Sequence, residues 1–254
     1  MAEAVPGEGF SMAKTPKDPK EIFEEFTNDY KESYGDDLVS IVLYGSGATP
    51  DYRPGKSDLN FMIVLTENGI ENLDKAFPLV KKWRKRRVDV PLFLTEEYLG
   101  SSLDVYPIEY LGFQRRHRVV YGKDIFEHLH FDREQLRLQC EREIKGKLLL
   151  LRHAYLESEG RGSALKEIAV RSIPAFLAIF EGLLHLKGKK VPLEKREVIR
   201  IGSDTFGLES NVFEKILAIR EGQFKPDESS LQRLFKQYIG IVRTLALLVD
   251  RMEE

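Results

Sequence analysis

Residues 43–65, LYGSGATPDYRPGKSDLNFMIVL, decide how this chain is read. Residues 40–44, SIVLY, are short, apolar and partly β-branched, which predicts a buried strand. Gly45, Ser46 and Gly47 follow at once. Glycines after a strand let the backbone come close to a ligand and offer its N–H groups to an anion. Ser46 would add a hydroxyl donor. The loop over 48–57 carries Pro50, Pro54, Gly55, Arg53 and Lys56, a composition suited to a turn facing negative charge. Leu59, Phe61, Ile63 and Leu65 then alternate with Asp58, Asn60, Met62 and Val64. Side chains two apart on a strand share a face. Asp58 and Asn60 are therefore expected to point the same way, at the strand end nearest the glycine turn.

An apolar residue, Gly, then Gly or Ser, a gap, and Asp-apolar-acid-apolar is the pattern of the nucleotidyltransferase superfamily. That superfamily includes DNA polymerase beta, the aminoglycoside nucleotidyltransferases and the minimal nucleotidyltransferases. The chain resembles it at Tyr44-Gly45-Ser46 and at Asp58-Leu59-Asn60-Phe61, and departs from it at Asn60, where the family has a second carboxylate. The resemblance implies transfer of a nucleoside monophosphate from a nucleoside triphosphate, such as ATP, to an acceptor hydroxyl. Gly45 and Ser46 would hold the triphosphate and Lys56 would sit near its charge. Asp58 and Asn60 would face Mg2+ or Mn2+. The family also needs a third acid on a later strand. Asp89, in the strand-like run RVDVPLFL at 87–94, is preferred by order and spacing, as third metal ligand or general base. Glu109, in PIEYL at 107–111, is the alternative.

Such chemistry rests on positioning and charge neutralisation. Magnesium prefers carboxylates, phosphates and water, and paired ions hold both the attacking and the leaving oxygen. An asparagine carbonyl can ligate a metal but brings no charge. Three readings stay open. The protein works with one tightly held ion and a looser second; it binds nucleotide without turnover, as a degenerate nucleotide- or protein-binding module; or Asp51 or Glu109 supplies the missing ligand.

Net charge is −2, so no general affinity for polyanions is expected. The lone Cys140 excludes an internal disulfide and a multi-cysteine zinc site, and its helix-like setting predicts a small buried residue. No apolar run reaches the roughly 18 residues needed to span a membrane, and residues 1–20 are polar and lack the apolar centre of a signal peptide. The expectation is a cytoplasmic protein without a membrane partner. The basic stretch KKWRKRR at 81–87 is read as a solvated helix end rather than a nucleic-acid contact, since cations favour helix C-termini and acids elsewhere balance it. The run RRHR at 115–118 is treated alike. The histidines are scattered, and Ser46 has no histidine–acid arrangement behind it.

The expected architecture is α+β: a nucleotidyltransferase-like α/β domain with a short mixed sheet, followed by an all-α helical bundle. Residues 1–18 are expected to be a flexible tail, 19–131 the first domain and 132–254 the bundle. Helices are expected over 18–34, capped by Asp18, and 70–86, with another starting after Thr95. A further strand is expected over 88–94, an extended segment over 105–111 and a helix over 113–120. From Asp132 the periodicity is helical throughout. Pro174 is expected to kink or split the apolar helix over 164–186, and 202–210 reads as a linker. By resemblance to the aminoglycoside enzymes, a homodimer is expected. The acceptor is left unassigned.

Overall fold

The computed structural model describes residues 15–252; most of the expected tail lies outside them. The helices are α1 (Phe23–Tyr34), α2 (Glu67–Ile70), α3 (Phe77–Arg84), α4 (Glu96–Ser101), α5 (Pro107–Arg115), α6 (Arg133–Glu157), α7 (Gly162–Leu186), α8 (Lys195–Thr205), α9 (Ser210–Arg220) and α10 (Glu228–Asp250). The strands are β1 (Leu38–Tyr44), β2 (Asn60–Leu65), β3 (Leu92–Leu94) and β4 (His117–Gly122). The chain is α+β, and it divides into two compact units. One comprises residues up to Ser101 together with Phe113–Leu129; the other comprises Ser102–Gly112 and the chain from His130 onward.

The first unit is built on a four-stranded sheet in the order β3-β2-β1-β4. β1 pairs antiparallel with both β2 and β4, while β3 runs parallel to β2. Ile41 and Leu43 of β1 and Phe61 and Ile63 of β2 point to one face, where they join Phe26 of α1 and Trp83 of α3 in the core. Phe26 stacks on Phe61 with ring centroids 4.2 Å apart, and the Trp83 ring lies edge-on 5.1 Å from Phe26. Such aromatic pairs add about 0.5–1.5 kcal/mol beyond their burial. Val42, Met62 and Val64 bury the other face of the same strands.

Local chemistry sets the ends of these elements. Asp18 caps a 3-10 turn, Pro19–Ile22, that leads into α1, with Glu21 closing the capping box. Thr95 Oγ1 accepts the Tyr98 N–H at the start of α4, as the sequence suggests. At Gly122 (φ +77°) a Cβ would lie 2.1 Å from the Val39 carbonyl oxygen, so only glycine fits where β4 meets β1.

Several expectations are corrected. The segment 105–111 is not extended. Pro107 opens α5, where its missing N–H costs nothing, and Pro107, Ile108, Tyr110 and Leu111 are buried while Glu109 is exposed, a helical rather than an alternating pattern. The expected helix over 113–120 ends at Arg115, and His117–Gly122 is an edge strand instead. Its VVY centre has strand propensity, but only pairing with β1 selects it. The helix expected over 70–86 is broken into α2, a 3-10 turn at Leu73–Ala76, and α3, with Pro78 in the first turn of α3.

The second unit is a bundle. Residues from α5, α6, α7, α8, α9 and α10 share one apolar core that includes Leu136, Cys140, Phe176, Phe180, Phe213 and Tyr238. Burial pushes the Cys140 thiol up to about 12, so it packs as a small neutral group. Asp132 caps α6 by accepting the Gln135 N–H. Pro174 does not split α7, which is one helix over its whole length. Gly202 is no linker residue. It lies inside α8, where a Cβ would stand 2.6 Å from Phe180 Cδ1, so glycine permits the α7–α8 approach. α7 is long and apolar enough by length and composition to cross a membrane, contrary to the reading of the sequence, yet its apolar residues form the bundle core.

Candidate active site

The turn and the carboxylates meet at one end of the sheet. β1 ends at Tyr44 and β2 begins at Asn60, and these two residues are direct partners in the antiparallel ladder. The intervening Gly45–Ala48 forms a 3-10 turn. Gly45 adopts φ +71°, donates its N–H to the Arg116 carbonyl at 3.1 Å, and lies against the Asn60 amide. Gly47 is a packing glycine: a Cβ there would come 2.9 Å from Leu59 Cδ2 and 3.2 Å from Leu43 Cδ1. Ser46 is half-buried, and its carbonyl is occupied by the Thr49 N–H.

Asp89 reaches the same place by strand pairing. Leu59 and Val88 form a parallel bridge: the Leu59 N–H donates to Arg87 O at 2.9 Å and the Asp89 N–H donates to Leu59 O at 3.0 Å. Leu59 and Val88 point into the core. Alternation then puts Asp58, Asn60 and Asp89 together on the other face. Tyr44 and His117 are ladder partners on the far side of Asn60, so one row across the sheet reads Asp89, Asn60, Tyr44, His117. The Tyr44 phenol is held above its ordinary range by burial, and next by the Asp89 charge.

Lys56 has an exposed side chain in the loop, and its carbonyl accepts from Arg87 Nη2 at 3.3 Å. Glu109 belongs to the second unit, where it accepts a hydrogen bond from Gln139 Nε2 at 2.7 Å. Within the first unit the structure thus brings Asp58, Asn60 and Asp89 to one face beside Gly45.

The sequence reading misses Arg87, Tyr44 and His117 as neighbours of the site. Arg87 Nη2 lies 2.9 Å from Asp58 Oδ1. Strand alternation does not find it, because the Arg87 backbone is left-handed, with φ 61°, rather than extended. Two further cations of the basic run, Lys82 and Arg86, are paired within the first unit. Lys82 pairs with Glu25 at 2.9 Å and Asp29 at 2.7 Å, Arg86 pairs with Glu25, and the Trp83 indole N–H donates to Asp29. His117 Nε2 lies 3.0 Å from Asp124 Oδ2, and the ring packs edge-on against Phe126.

Among the described residues no group of three His, Cys, Asp or Glu side chains is placed to hold a metal ion. The row offers one carboxylate, Asp89, and the Asn60 amide oxygen, and Asp58 adds a second carboxylate two residues before Asn60 on the same face. That donor chemistry fits one hard divalent cation and is one charge short of what a close pair of ions calls for.

The architecture has a counterpart among solved structures. The chain is similar to spectinomycin adenyltransferase AAD(9) from Enterococcus faecialis, solved with ATP and spectinomycin, with a TM-score of 0.52 and 15% sequence identity over 90% of this chain and 99% of that one. This chain has the nucleotidyltransferase fold, with a helical C-terminal region. Within that fold, the turn after β1 and the start of β2 are the segments the sequence singles out. No protein-family model and no curated protein sequence matches the chain.

Proposed function

We propose that this protein is a metal-dependent nucleotidyltransferase that moves a nucleoside monophosphate from a nucleoside triphosphate to the hydroxyl of an unidentified acceptor. One observation supports the reading: the glycine-serine turn opens directly beside Asn60, with Asp89 opposite Asn60 in the sheet and Asp58 two residues before it on the same face. Backbone N–H groups of the turn and the Ser46 hydroxyl would bind phosphate oxygens, with Lys56 adding positive charge. Asp58, Asp89 and the Asn60 amide oxygen would hold Mg2+ or Mn2+, which when bound neutralises phosphate charge. Asp89 would also take the acceptor proton. The acceptor oxygen forms a bond to the α-phosphorus, the bond from that phosphorus to the bridging oxygen breaks, and pyrophosphate leaves with the electron pair. ATP is the first nucleotide to test, because AAD(9) is an adenyltransferase solved with it. A soluble protein with its apolar helix inside the bundle fits this role.

Asn60 supports a second reading, in which the fold binds nucleotide or a protein partner without turnover. Calorimetric titration with ATP and GTP, with and without magnesium, tests the first. Magnesium-dependent binding that Asp58→Ala weakens at least about tenfold is expected, as loss of a metal-bound carboxylate would do. Absence of binding for both nucleotides would overturn it. Binding without pyrophosphate release across an acceptor screen would favour the second reading.

A further inference from the structure

Arg87 combines three features that no other described residue combines. Its φ of 61° lies in the left-handed region, where among the described residues only one other non-glycine residue, Glu159, is found. Its guanidinium is divided between Asp58 and the Lys56 carbonyl. Its Nε is buried and has no hydrogen-bond partner. Left-handed backbone is unfavourable for a long side chain, and a buried N–H without an acceptor is unfavourable again. The backbone is pinned there from both sides, since Arg87 O and the Asp89 N–H both bond to Leu59. Strain of this kind persists where surrounding structure over-determines it, and it gathers at functional positions. Here the strained residue sits on the carboxylate that begins the site.

Resting on the nucleotidyltransferase reading, we propose that Arg87 is a positioning residue that gates metal entry: it occupies Asp58 while the site is free of nucleotide and must be displaced before Asp58 can ligate a divalent cation. The two side chains are 39% and 55% exposed. An ion pair that wet is weakly held and can be exchanged. The same guanidinium also places a positive charge beside the position a cation would take, so it opposes binding twice, by occupying the ligand and by repulsion. The displaced arginine, with its Nε N–H released from burial, would then be available to phosphate oxygens, for which a guanidinium is well shaped. Cation and nucleotide would therefore enter together more readily than either alone.

The test is Mn2+ binding followed by electron paramagnetic resonance, in wild type, Arg87→Asn and Arg87→Gly, with and without ATP. Asparagine and glycine both accept the left-handed backbone, so the fold is kept and glycine also removes the strain. Without ATP, both variants are expected to bind Mn2+ about tenfold more tightly than wild type, the size expected for loss of an adjacent positive charge. With ATP that advantage is expected to shrink to a factor of about three or less, because the variants lose a phosphate ligand. Measurable Mn2+ binding of equal strength in all three proteins would overturn the gating role while leaving the nucleotidyltransferase reading intact. No Mn2+ binding in any of them, with or without ATP, would remove that reading and the gate together.

Discussion

At the scale of single residues, Asn60 is the position on which the proposed activity turns. It pairs with Tyr44, lies against Gly45 and stands in the row with Asp89. A carboxylate there would bring a negative charge into contact range of a bound cation. Two opposite charges about 4 Å apart are worth about 1 kcal/mol even in water. Asn60→Asp is therefore expected to tighten Mn2+ or Mg2+ binding by about tenfold or more, measured by calorimetry. Equal affinity in the two proteins would mean that this row does not bind metal. The asparagine was legible from the sequence, and so was its direction, because strand alternation is a local rule. Arg87 was not legible by that rule, because its backbone is left-handed rather than extended, and its bond to Asp58 depends on a parallel bridge between residues far apart in the chain.

At the scale of elements, the apolar helix α7 shows how tertiary packing overrides a local signal. Pro174 stands inside a helix that continues past it. Proline removes one hydrogen bond and crowds the preceding turn, at a cost near 3 kcal/mol in a free helix. α7 continues because apolar residues on both sides of Pro174, such as Leu165, Ile173, Phe176 and Phe180, anchor it in the core. Pro174 itself is exposed. Pro174→Ala should leave no cavity, and a gain of about 1–3 kcal/mol is expected from the restored bond. An unchanged or lower urea midpoint would show that the helix is relaxed around its proline. Helix α5 teaches the converse. Five residues of mixed pattern at 107–111 carry too little periodicity to choose between strand and helix, and the choice falls to burial of Ile108 and Leu111 in the bundle core.

At the scale of the whole molecule, several carboxylates bind the elements together by charge. Hydrogen bonding from Lys82 holds Glu25 below the ordinary carboxylate range. Burial pushes Asp124 upward, but hydrogen bonds from His117 and the Phe126 N–H overcome it and leave the group lowered. The Ser230 N–H lowers Asp227, and Lys145 lowers Asp250. A carboxyl with a lowered value in the folded state binds fewer protons than the unfolded chain at the same pH. Its stabilisation is thus complete above the unfolded value, about pH 4, and is lost as pH falls through the lower folded values. Urea midpoints are expected to hold steady down to about pH 5 and then fall toward about pH 3, with the steepest loss below about pH 4. A midpoint indifferent to pH across that window would show that these pairs add nothing to folding.

The sequence by itself determined what depends on short range. It determined the α+β class with strands early and helices after, the strand–glycine turn–strand at 40–65, the shared face of Asp58 and Asn60, and the caps at Asp18 and Thr95. Each follows from alternation, helical periodicity or a side chain reaching its own neighbouring backbone. Only the tertiary structure decided what depends on partners distant in the chain. It made 117–122 a strand by pairing it with β1, and made 107–115 a helix by burying one of its faces. It set Asp89 beside Asn60 through the bridge between Leu59 and Val88, and laid Arg87 across Asp58. Pairing and burial are properties of two segments at once, so no reading of either segment alone contains them.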